Sequence, residues 1–238
     1  MKCIFCEKNG KVTSVSHIVP ESLGGRNSPV ASSGVTCDAC NQYFGQKVES
    51  KALKSFPFIG FRVLSGVKSK KGKAPSTLAS GGKIISSGEY GKVVFEPFND
   101  EMELKITSGQ KTQFRIIAEV TESLSVCRML LKMGLEQLGS HFYDVAISDR
   151  VNDARCFARG PQRGSSWWFI LKSNPRELIG ENPRQLELSI EIYELQGVLS
   201  SVMRLPGVTT ITPLESHAIP PSSNELGEPE YRIIWGRC

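Results

Sequence analysis

Two pairs of cysteines constrain this chain more than any other feature. Cys3 and Cys6 form one C-x2-C pair, Cys37 and Cys40 form a second, and thirty residues separate the pairs. Each pair can supply one edge of a tetrahedral thiolate site, and four sulfur ligands favour Zn²⁺ over hard cations. Because four protein ligands leave no position open for water, we predict a structural zinc site. Any catalysis must then come from other residues.

Length and composition limit the classes of protein that the chain can belong to. Its 238 residues are enough for one large domain, or for a small domain followed by a medium one. No run of eighteen apolar residues is present, and the first residues lack the apolar core of a signal peptide. The three cysteines outside the pairs are odd in number and far apart, which favours a reducing compartment. We therefore expect a cytoplasmic protein with no membrane segment.

Positive charge is concentrated in the first third of the chain. Residues 1–75 hold twelve Lys and Arg but only four Asp and Glu, a net charge of about +8, and the remainder carries about −3. Such a one-sided field is typical of a protein that binds a polyanion, although an ordinary solvated surface is the alternative. Five Lys and Arg residues occur between positions 62 and 73 with no Asp or Glu among them, and we predict that they contact nucleic-acid phosphates. These residues are Arg62, Lys68, Lys70, Lys71 and Lys73.

Residues 1–58 are predicted to form a small module in a protein of the α+β class. Alternation of apolar residues predicts a strand over 11–17, a Pro/Gly/Ser-rich loop follows, and residues 34–36 can return as a second strand. From Asp38 onward apolar residues recur every three to four positions, which predicts a helix that ends near Pro57. The zinc would tie the N-terminus to the start of this helix.

The rest of the chain is predicted to be a basic connecting segment, 59–83, and a mixed antiparallel-sheet-plus-helix domain, 84–238. A helix is expected from Ser123 to about Leu138, with Gly139 as its stop. We expect this domain to serve target recognition, dimerisation as a homodimer, or regulation. Strands are predicted from short β-branched runs at 82–88, 92–98, 102–109, 113–120, 165–173, 185–194, 209–213 and 231–235.

The segment SHIVPESLGG lies between the cysteine pairs, and CNQYFGQKVES follows from the last cysteine. In combination these segments resemble the zinc-bearing HNH endonucleases, which have a ββα-metal active site. The resemblance covers about residues 1–55. It implies an N-terminal ββα-metal module and a metal-dependent endonuclease that hydrolyses DNA phosphodiester bonds with Mg²⁺ or Mn²⁺. The sequence leaves the biological role open between restriction, phage defence, mobility and repair.

The resemblance also assigns roles to two residues. His17 corresponds to the first histidine of the motif, which is the general base. It is also the one side chain of the module that ordinarily titrates near neutrality, so it can take a proton from water at physiological pH. The alternative is a structural histidine or a zinc ligand. Asn41 corresponds to the last residue of the motif, and its amide oxygen is an acceptable ligand for Mg²⁺.

The chain departs from the family at the other ligands of the catalytic metal. The residue before the base is usually acidic, but here it is Ser16, a weaker ligand. Asn41, Gly45 and Glu49 lie four residues apart on one helical face, so Glu49 can supply the carboxylate, with Glu21 as a weaker candidate. We therefore assign Asn41, Ser16 and Glu49 to this metal. The departures leave a catalytically inactive, zinc-dependent DNA-binding module as the alternative function.

Overall fold

The computed structural model describes residues 1–24, 28–68, 72–109, 119–173, 188–222 and 231–238, and it is of the α+β class. The helices are α1 (Glu21–Gly24), α2 (Asp38–Phe44), a π-helical turn (Gly45–Glu49), α3 (Ser50–Ala52), α4 (Phe58–Ser65), α5 (Asp100–Thr107), α6 (Ser123–His141), α7 (Tyr143–Ala146), a 3₁₀ turn (Asp149–Val151) and α8 (Asn152–Arg159). The strands are β1 (Ser76–Ala79), β2 (Gly82–Ser86), β3 (Val93–Pro97), β4 (Ser166–Ser173), β5 (Ser189–Leu195), β6 (Val198–Leu205), β7 (Val208–Pro213) and β8 (Tyr231–Arg237).

The strands form two antiparallel sheets. The smaller sheet has the order β1-β2-β3, and the larger has the order β5-β6-β7-β4-β8. Short turns join β5 to β6 and β6 to β7, whereas β4 lies between β7 and β8, neither of which follows it directly in the chain. Trp167 of β4 is buried and donates its indole N–H to the Pro213 carbonyl, whereas Trp168 is half-buried and donates to Ala218.

Helix α6 is the centre of the molecule. One side of it packs against the larger sheet, and other sides pack against α3, the π-helical turn, α7 and α8. Because it is enclosed by protein, fourteen of its residues are buried. One hydrophobic core therefore runs from the cysteine pairs through α6 into the larger sheet.

The N-terminal module differs from the prediction in its strands. The described residues of 1–58 contain one isolated antiparallel bridge, His17 with Val30, instead of a hairpin of two strands. Residues 11–15 are not a strand, and residues 34–36 lie at a turn where Gly34 has a φ of 93°. The predicted pairing of 11–17 with 34–36 was wrong because the partner of His17 lies within the segment expected to be a loop. The ββα arrangement is thus not confirmed.

Two other predicted features were also wrong. Residues 102–109 do not form a strand, because the Asn99 side chain accepts the Met102 N–H as a helix cap and Glu101 pairs with Lys105 along α5. Gly139 does not stop α6, which continues to His141. The expected strand at 113–120 lies almost wholly outside the described residues.

The segment 59–83 contains most of α4, all of β1 and the first residues of β2, so it is more than a connection. The division into units at 58 and 83 stays a prediction. No helix in the described part of the chain is long and apolar enough to cross a membrane.

Candidate active site

An open groove with a volume of about 460 Å³ lies between the segment that contains His17 and the helix that begins at Asp38. Its walls bring together four residues singled out from the sequence, His17, Asn41, Glu49 and Glu21. Asn41 and Glu49 thus line one groove, Asn41 from α2 and Glu49 from the end of the π-helical turn that follows it. Such turns are frequent at functional sites.

His17 is half-buried at the edge of the groove. Its backbone is held from both sides, by the bridge to Val30 and by the Lys132 ammonium, which donates to the His17 carbonyl at 2.5 Å. Within the described residues, no group forms a hydrogen bond with the imidazole ring. The backbone is thus fixed, while the ring nitrogens are left for a ligand in the groove.

The hydrogen bonds around Asn41 show which atom of its side-chain amide donates and which one accepts. Its Nδ2 donates to the Val15 carbonyl and the Ser14 hydroxyl, both at 3.2 Å, and a carbonyl can only accept. The Oδ1 atom therefore faces the Ser16 hydroxyl, 3.3 Å away. Ser16 has one proton and a closer acceptor, the Glu136 carboxylate at 2.8 Å. The Asn41 Oδ1 atom consequently remains an acceptor suited to a hard cation.

Glu49 and Ser16 are less open to a cation than Asn41. The Glu49 side chain is only 17% exposed, and one of its carboxylate oxygens lies 3.0 Å from the Lys132 ammonium. Ser16 is buried, and its hydroxyl is engaged by Glu136. Both predicted ligands adjoin Asn41 or the groove, but each already has a charged partner.

Two buried charges on α6 were not predicted as site residues. The Lys132 side chain is 1% exposed, and its Nζ lies 3.0 Å from carboxylate oxygens of both Glu49 and Glu136. Burial lowers the pKa of Lys132, but attraction by the two carboxylates outweighs it, so the pKa is raised and the ammonium stays charged. The sequence held a signal for this pair, because Lys132 and Glu136 are the charged i,i+4 residues within a strongly apolar stretch.

Asp38 fixes the segment that leads to His17. Its carboxylate accepts hydrogen bonds from the backbone N–H and the hydroxyl of both Thr13 and Ser14, at 2.6 to 3.2 Å. These bonds, the Thr13 hydroxyl first, hold the pKa of Asp38 far below its usual value. Thr13 and Ser14 are thereby bound to the start of α2, in place of the strand predicted there.

The four cysteines form a compact sulfur cluster that suggests a zinc site. All four Sγ atoms lie within 4.8 Å of one another, and those of Cys6 and Cys37 are 3.7 Å apart. A tetrahedron with Zn–S bonds of about 2.3 Å has edges of about 3.8 Å, so the donor set fits Zn²⁺. In the described part of the chain, no other group of three His, Cys, Asp or Glu comes as close together.

The four thiols are close enough to affect one another's protonation. The Cys40 S–H lowers the pKa of Cys3 to about 4, while the same contact, followed by burial, raises the pKa of Cys40 far above its usual value. Negative charge on one sulfur thus keeps protons on its neighbour, and a divalent cation allows all four to be thiolates. Arg159 adds a positive charge beside Cys40, with its guanidinium 3.6 Å from the centre of the Tyr43 ring.

The basic segment is only partly described. Arg62 is half-buried, donates to the Leu53 carbonyl at 3.1 Å and has its pKa lowered by burial, which argues against contact with a phosphate. Lys68 and Lys73 are exposed. Residues 70 and 71 lie outside the described residues, so the role predicted for Lys70 and Lys71 stays a prediction.

Residues 3–57 match a family model described as HNH endonuclease. The matched segment contains both cysteine pairs, His17 and Asn41, and the resemblance inferred from these residues is confirmed. The family indicates a nuclease. No curated protein and no solved structure matches the chain.

Proposed function

We propose that the protein is a divalent-metal-dependent endonuclease that hydrolyses phosphodiester bonds of DNA in the groove beside His17. One observation carries the proposal: His17, whose ring has no hydrogen-bond partner among the described residues, lines the same groove as Asn41, whose amide oxygen is left as an acceptor. A base and a cation ligand on facing walls are what hydrolysis of a phosphodiester requires.

In the proposed reaction, His17 takes a proton from a water molecule as the water oxygen attacks phosphorus. The bond between phosphorus and the 3′ oxygen breaks, and the released oxygen takes a proton from solvent. The products carry a 5′-phosphate and a 3′-hydroxyl, as the family mechanism implies. The held His17 backbone, bound at its carbonyl and bridged to Val30, keeps the ring at the groove during this transfer.

Asn41 is the residue best suited to hold the catalytic cation, and Glu49 is the carboxylate of the same groove that we assign beside it. A bound Mg²⁺ or Mn²⁺ offsets negative charge on the phosphate and on the leaving oxygen. Glu49 is ion-paired with Lys132, so the negative charge that it contributes to the cation site, at the wall of the groove, is shared with the Lys132 ammonium. Zinc, held by Cys3, Cys6, Cys37 and Cys40, would serve the structure alone.

Exposed lysines support DNA as the substrate. Lys47, Lys51 and Lys54 are exposed on or just after the helical segment that lines the groove, and Lys68 and Lys73 are exposed further along. Lysines at such sites contact backbone phosphates, which gives affinity without sequence recognition.

The competing function is an inactive DNA-binding module, favoured by the absence of an acidic residue at position 16. Plasmid DNA incubated with Mg²⁺, Mn²⁺ or EDTA separates the two. We expect wild-type cleavage with either metal and none with EDTA. His17→Ala should lose on the order of 10²–10⁴ in rate, the usual contribution of a general base.

His141→Ala is the matched control, because His141 is exposed at the end of α6, outside the groove. It should cut at the wild-type rate. Undiminished cleavage by His17→Ala would refute the assignment of His17. DNA binding without cleavage by the wild-type protein under either metal would favour the inactive module.

A further inference from the structure

The Lys132 ammonium lies among three acceptors. It donates a hydrogen bond to the His17 carbonyl at 2.5 Å, and it forms ion pairs with one carboxylate oxygen each of Glu49 and Glu136, both 3.0 Å away. Two of the three partners line the groove, and the third belongs to the same helix as Lys132.

Glu136 anchors this arrangement from behind. Its side chain is fully buried, and one oxygen accepts from the Ser16 hydroxyl at 2.8 Å and from the Thr36 hydroxyl at 2.7 Å. Two hydroxyls donate to one oxygen of the carboxylate, and the Lys132 ammonium forms an ion pair with the other oxygen. Although burial raises the pKa of Glu136, these contacts are those of an ionised group.

Charged side chains as deeply buried as those of Lys132 and Glu136 need an explanation. A packed apolar core of similar volume is often as stable as a buried ion pair, so stability alone does not explain why α6 carries one. The contacts of Lys132 and Glu136 converge on the backbone of His17 and the carboxylate of Glu49, which both line the groove, and on the buried hydroxyl of Ser16, the residue before His17. The pair thus sets where these groups lie.

We infer that Lys132, held by Glu136, is a positioning residue for the nuclease centre, and this inference rests on the proposed function. Lys132 fixes the main chain at the general base and the carboxylate beside the cation ligand. Both residues lie outside the segment 3–57 that matches the family. The centre proposed for the N-terminal module is therefore complete only when α6 is packed against it.

The test removes the pair without leaving a buried charge unpaired inside α6. Lys132→Met combined with Glu136→Gln keeps the volumes and deletes both charges. Arg128→Met is the control, because Arg128 is buried on the same helix and bonds to the Ala158 and Arg159 carbonyls and the Tyr43 hydroxyl, away from the groove. Melting temperature and zinc content are measured for each variant, and cleavage is compared well below the lowest melting temperature.

We expect the double variant to lose about 100-fold in kcat with little change in KM for DNA, since a displaced catalytic group typically costs that much. Arg128→Met should lose stability without this loss in kcat. A double variant whose kcat falls no further than that of Arg128→Met would overturn the inference while leaving the proposed function intact.

A second readout does not depend on cleavage. The chain has three histidines, so the imidazole signals in an NMR spectrum of ¹⁵N-histidine-labelled protein are few. The double variant should shift or broaden the His17 signals and leave those of His141 and His217 in place, whereas Arg128→Met should leave all three. Unchanged His17 signals in the double variant would overturn the inference even if the wild-type protein proved unable to cut DNA.

Discussion

At the scale of single residues, the nitrogen and the oxygen of the Asn41 side-chain amide have different roles. The Nδ2 atom holds the backbone at Val15, two residues before the proposed base, and the Oδ1 atom is the acceptor that we propose for the cation. A substitution can therefore act through the position of His17 or through the cation, and the dependence of rate on metal concentration distinguishes these effects.

We predict that Asn41→Ala lowers the cleavage rate by roughly 10–100-fold, the range found when a residue supporting a metal site is lost. The Mg²⁺ concentration needed for half-maximal rate should rise as well. Gln42→Ala is the control, because Gln42 lines the same groove and lies next in the chain. An Asn41→Ala enzyme with an unchanged metal requirement would show that the amide acts only on the loop.

The residues that the sequence predicted best are those with a local pattern. Cys3, Cys6, Cys37 and Cys40 were recognised by spacing, and the structure brings their sulfurs together. The Lys132–Glu136 pair was missed because its partners are more than eighty residues away in sequence, and no spacing rule connects α6 to Glu49. The site depends on tertiary contacts that a single sequence does not reveal.

At the scale of elements, the zinc cluster joins the N-terminal turn to the start of α2. Cys3 and Cys6 lie in that turn, and Cys37 directly precedes the helix. We predict about one zinc per chain. Cys37→Ser should release the metal and lower the melting temperature, because ligand loss removes metal-binding free energy from folding.

Cys156→Ser is the control for the zinc prediction, since Cys156 is an exposed thiol outside the cluster. It should retain the metal and the wild-type melting temperature. Elemental analysis that finds no zinc in folded wild-type protein would contradict the assignment of the cluster.

The packing of α6 against the N-terminal module gives a second test at this scale. A Cβ on Gly139 would lie 2.9 Å from a Val35 side-chain carbon, whereas a Cβ on Gly45 would meet nothing within 4 Å. Overpacking costs about 1–3 kcal/mol, and alanine in an open helical position contributes about 1 kcal/mol over glycine. We predict that chemical denaturation will show Gly139→Ala to be less stable than Gly45→Ala. Equal stability would mean that α6 does not approach the module this closely.

Strands were predicted well where a run of β-branched or aromatic residues marks them, whether or not the run is buried. The strands β2, β3, β4, β5, β7 and β8 were foreseen, whereas β6, with Ser200 and Ser201 in its middle, was not, although most of it is buried. Residues of α5 form a helix in place of the predicted strand, because an Asn cap and an i,i+4 ion pair stabilise the helix in spite of the β-branched residues. The predicted hairpin near His17 does not form. One bridge and the hydrogen bonds to Asp38 take the place of the hydrogen-bond ladder between two strands.

At the scale of the whole molecule, the charge asymmetry predicts how DNA binding responds to salt. Each phosphate neutralised on duplex DNA contributes a slope of about 0.9 to the fall of log affinity with log salt. Replacing Lys68, Lys70, Lys71 and Lys73 with Gln should flatten the slope by roughly two to four units and weaken binding to every sequence alike. A quadruple variant with the wild-type slope would place DNA elsewhere on the surface.

Chemical rescue tests the central claim most directly, because it examines the base itself. His17→Gly leaves a gap where the imidazole stood, and free imidazole in solution can enter an open groove. We predict that His17→Gly, with full zinc content, cuts DNA very slowly and that added imidazole restores part of the rate, while Asn41→Ala gains nothing from imidazole. Cleavage by His17→Gly at the wild-type rate, without imidazole, would contradict the account.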